Sequence, residues 1–267
     1  MRRAGRHFRE LTLPRTDGFS TRMSRWRSTT AFLIGIVLTA AASAQVTLWT
    51  AGADLTANEA VTATETDNPN ATSPAWSYGH RATLGSTSLT LMTAGEHVNS
   101  GSYTLEGFAG ADFLSMRANV GVASVNIPGL LAIAPQEILM HPSSTEYAVV
   151  RWTAPAAASY YVSAYWRPVE PHGGANGGTG DIVVNGVSIY NTSWANGGAQ
   201  ANSGTHTLSL GLGDTVDFVL GNAGEYSYDA VAFDATVSVV PEPSTYALAA
   251  GMIALSGVAW RRRRSLG

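Results

Sequence analysis

The sequence predicts an all-β body: a single antiparallel β-sandwich, jelly-roll-like, flanked by an N-terminal signal helix and a C-terminal transmembrane helix. Three observations predict it. Between residues 45 and 240 short alternating runs recur, broken by Gly, Asn, Asp and Pro, with no long helical period among them. The 267 residues include 28 Gly and 11 Pro but no Cys, which leaves ample chain for one core and excludes a disulfide scaffold. Two further apolar runs stand apart from the body, one near each end.

The predicted strands are Val46–Thr50, Ser88–Thr93, Ser102–Gly107, Met116–Val125, Ile138–His141, Tyr147–Trp152, Ser159–Trp166, Asp181–Tyr190, Thr205–Leu210, Thr215–Leu220 and Val231–Val239. Alternation puts Tyr160, Val162, Ala164 and Trp166 on one face, and Val216, Phe218 and Leu220 on another. One buried and one wet face is the mark of an antiparallel sheet. Asn185-Gly186 splits its segment into a hairpin, because both residues accept the positive φ of a tight turn. The Gly-rich stretch His172–Gly180 reads as a loop. The body domain therefore spans 45–239.

At the amino end, Arg25 and Arg27 precede the apolar run Ala31–Ala42, followed by Ala42-Ser43-Ala44 and Gln45. Positive flank, short apolar run and small residues two apart predict a secretory signal peptide over 1–44, read at Ala42 and Ala44 and cut after Ala44. Met23 opens a signal of ordinary length and reads as the true start.

The carboxyl end, 240–267, has three parts. Pro241, Glu242 and Pro243 hold the chain extended, since proline fixes φ and lacks a donor. The apolar run 246–260 predicts a helix, with Ser244 as its cap. Its fifteen residues reach about 22 Å at ~1.5 Å each, short of a ~30 Å hydrocarbon core. Snorkelling Arg and local thinning bridge that gap in the transmembrane reading. Arg261, Arg262, Arg263 and Arg264 then anchor that end in the cytoplasm.

This tripartite tail resembles the PEP-CTERM sorting signal of Gram-negative bacteria. The resemblance implies an exosortase-type processing enzyme as partner, besides signal peptidase and the secretion machinery. It also implies a destination at the cell surface or in the exopolysaccharide matrix, after transient anchoring in the membrane. The body resembles, more loosely, jelly-roll domains of exported proteins, some of them carbohydrate-binding modules. The phrases that carry it are Asn68-Pro69-Asn70, Trp76-Ser77-Tyr78-Gly79, Met140-His141-Pro142, Val150-Arg151-Trp152-Thr153-Ala154-Pro155, Gly213-Asp214-Thr215-Val216-Asp217-Phe218 and Tyr228-Asp229.

Charge narrows the partners. All 16 basic residues are Arg, and four of them face 16 acids between 45 and 240, a formal charge of −12 for the body. Such a body repels nucleic-acid phosphates. With neither Lys nor Cys, Schiff-base and thiolate nucleophiles are excluded. No HExxH, G-x-S-x-G, Walker lysine or dinucleotide glycine motif is present, so the expectation is a non-enzyme. His80, His97, His141, His172 and His206 show no metal spacing, and no cofactor is expected beyond a structural calcium at Asp181 or Asp229.

Aromatic residues are the better site candidates, because a sugar ring stacks its C–H face on them. Trp194, among Asn191, Asn196 and Gln200, and Tyr226 are the two glycan-binding candidates; Trp152 and Trp166 read as core. The leading reading is an exported surface or matrix protein that binds polysaccharide. A secreted glycan-active enzyme and a purely structural matrix protein are the alternatives.

Overall fold

The computed structural model describes residues 48–59, 75–92, 95–99, 104–172, 176–241 and 243–264. The signal-peptide expectation, with Ala42 and Ala44, lies outside them, as does Glu242. The described chain forms two antiparallel sheets.

The larger sheet is built from β1 (Leu48–Thr50), β4 (Gly95–Asn99), β5 (Thr104–Ala109), β6 (Ser115–Asn119), β7 (Ile138–His141), β9 (Ala158–Pro168), β12 (Ala201–Asn202), β13 (His206–Leu210) and β15 (Val231–Val239). Its spine runs β12-β9-β15-β7-β6-β5-β4, with β1 on β15 and β13 on β9. The smaller sheet contains β2 (Trp76–Arg81), β3 (Thr90–Leu91), β8 (Tyr147–Thr153), β10 (Gly178–Val184), β11 (Val187–Trp194) and β14 (Thr215–Gly221), in the order β11-β10-β14-β8-β2-β3. A short helix, α1 (Ala51–Glu59), follows β1 and buries Ala51 and Leu55.

The sheets meet through large rings. Trp152 of β8 lies edge-on to Tyr160 of β9 at 4.8 Å, and Phe218 of β14 meets Phe233 of β15 at 6.0 Å. Tyr160, Val162, Ala164 and Trp166 share the buried face that alternation predicts. The turn Asn185-Gly186, with φ of 49° and 85°, joins β10 to β11 as the hairpin motif requires. The sandwich expectation thus holds.

Two glycines correct the reading of the Gly-rich stretch as a loop. Gly178 and Gly180 lie in β10 instead. A Cβ on Gly180 would stand 2.7 Å from Cδ2 of Trp166, and one on Gly178 would stand 2.9 Å from Cζ2 of Trp194. Glycine here lets indole rings settle directly on the strand.

β14 is buried on both faces, which alternation alone does not predict. The segment 82–89 covers its outer face, with Leu84 and Leu89 over Val149, Val183 and Val219. Asp217 holds that cover down. Its oxygens accept from Arg81 NH1 at 2.6 Å and Arg151 Nε at 2.6 Å, and the same guanidiniums reach the carbonyls of Ser86 and Thr87.

After β15 the chain passes Pro241 into α2 (Pro243–Arg264). Proline suits the first turn, whose N–H groups have no helical partner. Ser244 lies inside that turn and is not its cap. Among the described residues no helix is long and apolar enough to cross a membrane. The transmembrane expectation for 246–260 thus finds no support there: Gly251, Ser256 and Gly257 dilute the apolar stretch, and the Arg run charges its end.

Candidate functional site

The candidate site lies where four connections meet at one end of the sandwich: 110–114 between β5 and β6, 142–146 between β7 and β8, 169–172 after β9, and 222–230 between β14 and β15. Pairing brings them together. Ser115 faces His141, Leu220 faces Ala148, and Val231 lies between Met140 and Pro168.

Each connection is held in a defined shape. Asp112 and Phe113 both take left-handed backbone, φ 59° and 66°, which a non-glycine residue adopts at a cost of about 1–2 kcal/mol. Two bonds secure that turn: the Ser144 N–H donates to Asp112 Oδ2 at 3.1 Å and the Ser144 hydroxyl donates to the same oxygen. These bonds hold the Asp112 carboxyl below its ordinary pKa. The turn presents the ring of Phe113 to solvent, 74% exposed. Across from it, Asn222 ties the last connection to the second by donating to the carbonyls of Ser143 and Ser144 at 2.9 and 3.2 Å. The Ser227 N–H donates to Glu225 at 2.9 Å.

Three rings then face one another. Phe113 stands 6.2 Å from both His141 and Tyr226, and His141 stands 6.4 Å from Tyr226. The Asp112 charge, and a hydrogen bond to it, push the Tyr226 phenol up. A second pair, His172 on Tyr228, stacks at 3.7 Å. Burial pushes the His141 pKa down, which favours the neutral ring. His141 Nδ1 sits 2.6 Å from the Pro142 carbonyl, which only accepts; Nδ1 therefore carries the proton and Nε2 is an acceptor.

Two adjoining hollows open beside these rings. One, of about 210 Å³, is lined by Phe113, His141, Glu170, Tyr226, Ser227 and Tyr228. The other, of about 340 Å³, shares Phe113, His141 and Glu170 and continues to Arg117 and Ala230. That size enters the roughly 300–1,000 Å³ range of ligand pockets. Glu170 accepts from the Ala230 N–H at 3.3 Å. Between Tyr228 and Ala230 stands Asp229, 2% exposed, with neither oxygen hydrogen-bonded. Burial, then Glu225 and Glu170, push its pKa to about 7.

The sequence candidates separate here. Tyr226 and Asp229 come to this end of the fold. Trp194 does not: it ends β11, is 9% exposed and joins the core over Gly178. Its ring therefore presents no open platform, and Asn196 and Gln200 lie beyond the end of its strand. Asp181 is buried in β10, accepts from the Ser188 hydroxyl at 3.1 Å, and lines neither hollow. Among the described residues no three His, Asp or Glu groups gather where a metal could sit. Phe113 and Glu170 are not singled out by the sequence, and His141 is named there for no site; the three lie in separate elements, and no local pattern links them.

The tail shows two prolines around Glu242, then a helix closing on four Arg. Residues 239–264 match the PEP-CTERM protein-sorting motif. This motif implies an exported, exosortase-sorted protein bound for the cell envelope or surface. No curated protein matches the chain. Among solved structures, the CBM51 of a Clostridium perfringens GH95, in complex with methyl-galactose, is similar at 11% identity and TM-score 0.32, over 45% of this chain and 82% of that one. A family 35 carbohydrate binding module from Clostridium thermocellum is similar at 15% and 0.25, over 53% and 85%. Pika GITRL is similar at 11% and 0.27, over 35% and 74%. At these values the likeness bears on neither ligand nor activity.

Proposed function

We propose that this is a polysaccharide-binding protein of a Gram-negative cell surface or exopolysaccharide matrix, with a jelly-roll-like body delivered by signal peptidase and an exosortase. The observation that carries the binding reading is the ring cluster of exposed Phe113 with half-buried His141 and Tyr226 beside a hollow bordered by Glu170. Aromatic faces supply apolar contact for a sugar ring. Glu170 and neutral His141 supply acceptors for its hydroxyls. A catalytic reading has less support: Asp229, whose pKa suits a general acid, has both oxygens shut away from solvent.

Polysaccharide pull-down with the full chain tests the body. Binding weakened by Tyr226→Ala and by Phe113→Ala supports the proposal. Unchanged binding removes the site, and failure to bind any glycan favours a purely structural matrix protein. For the tail, Pro241→Ala with Pro243→Ala should leave the tail uncleaved in mass spectra of exported protein; normal processing would refute that role.

A further inference from the structure

The hollows between Phe113 and Tyr228 gather negative charge around an aromatic wall. Glu170 lines both hollows. Asp112 hydrogen-bonds Tyr226, Glu225 precedes that ring in the chain, and Asp229 lies buried between residues that line the two spaces. Glu170 is the carboxylate in the lining, with Asp112, Glu225 and Asp229 in the connections that form it, and the lining includes one Arg, Arg117. Burial also disfavours the charged form of His141.

Asp229 carries the argument beyond a count of acids. It is 98% shielded, and both its oxygens lack a hydrogen-bond partner. An orphaned, buried carboxyl costs free energy unless something compensates it. The charges that act on it, Glu225 and Glu170, have its own sign and raise the cost. A cation in the hollow reverses that balance. Among the described residues no three ligating side chains converge here. An organic ammonium asks less: one or two carboxylate acceptors and an aromatic face.

Resting on the polysaccharide reading above, we propose that this site selects a cationic amino sugar, its ammonium held by Glu170 and its ring laid against Tyr226 and Phe113. Asp229 lies buried next to Tyr228, which lines the hollow. A uronate-bearing or sulfated glycan meets like charge and is rejected. An N-acetylated sugar keeps the stacking contact and loses the charge-assisted hydrogen bond.

The test is calorimetric titration of the full chain at neutral pH and low salt with three oligosaccharides: glucosamine oligomer, its N-acetylated counterpart and a uronate oligomer. The glucosamine oligomer should bind about tenfold more tightly than the acetylated one, and that gap should close at about 1 M salt. Glu170→Gln keeps an acceptor for the Ala230 N–H and should cut glucosamine affinity more than acetylated affinity. Glu225→Gln, on the exposed rim, should reduce the preference severalfold. Equal binding of amine and acetylated oligomers overturns the charge selection and leaves the polysaccharide reading standing. Binding of none of the three overturns the charge selection, and only failure in the broader polysaccharide pull-down removes both. Calcium alone raising the melting temperature would hand these acids to a metal and overturn the proposal.

Discussion

Asp229→Asn separates a charge effect from a packing effect at the candidate site. The side chain is buried, bonded to nothing, and its pKa stands at about 7 against 3.8 for an ordinary aspartate. Below about pH 4 the group is neutral in the folded and the unfolded chain, so it has no bearing on their balance. From there to about pH 7 the unfolded chain ionises while the folded chain stays protonated. Stability therefore falls as pH rises, and the loss is complete above the folded pKa. A tenfold change in proton affinity is worth about 1.4 kcal/mol, so the rise from 3.8 to about 7 sets a ceiling near 4 kcal/mol. Relaxation of the connection and water entry lower this to about 2 kcal/mol. Asparagine removes that pH-dependent loss and brings its own cost, about 1–3 kcal/mol for an unpaired buried amide, at every pH. Urea unfolding of both proteins at about pH 4 and pH 8 reads the difference. The variant should be the weaker one at the acid end and recover by about 2–4 kcal/mol relative to wild type at the alkaline end. Parallel stability curves would refute the assignment of a raised pKa to Asp229.

Other substitutions test the packing. Trp194→Ala should lower stability by about 3–5 kcal/mol in thermal unfolding, as loss of a core ring does, whereas Tyr226→Ala should change it by less than about 1 kcal/mol. Gly180→Ala drives a methyl group against Trp166 and should cost about 1–3 kcal/mol in urea unfolding; an unchanged midpoint would mean that the ring is elsewhere. Asp217→Asn leaves Arg81 buried without its counter-charge and should cost about 3–5 kcal/mol, with the segment 82–89 becoming exchangeable in amide hydrogen exchange. Little loss there would show that Arg81 finds water instead.

The strands that sequence locates well are those whose own composition decides them. Ile138–His141 and Val231–Val239 are found as predicted, because their apolar residues match strand geometry without help from a partner. Asn185-Gly186 locates its turn because few residues other than Asn and Gly accept that backbone. The strand Trp76–Arg81 escapes a reading of sequence, since Ser77, Gly79, His80 and Arg81 look like a polar break. It becomes a strand because β8 pairs with it along its whole length, and Gly79 is required there: a Cβ would stand 2.4 Å from the Thr90 carbonyl. The helix Ala51–Glu59 escapes for a related reason, having nine residues and no apolar period, so that it depends on packing for its existence.

The site is half legible in the sequence for a reason rooted in topology. Tyr226 stands out as an aromatic in a polar, Gly-bearing connection, and Asp229 as an acid beside it. Phe113, His141 and Glu170 precede Tyr226 by 113, 85 and 56 positions, and only the order β9-β15-β7-β6-β5 carries them to one place. That order puts the ends of β5, β7 and β9 on one edge with the start of β15, so their connections share a rim with the one that enters β15 from β14 in the other sheet. A rim made of four short connections has little apolar bulk to cover it, which leaves rings such as Phe113 outside the core. The same shortage of cover explains why polar side chains here bond to neighbouring backbone, as Asn222 and Asp112 do. Asp229 is the exception, buried with nothing to bond. A fold that leaves one carboxyl unsatisfied beside its most exposed rings concentrates there the free energy that a ligand of opposite charge would release.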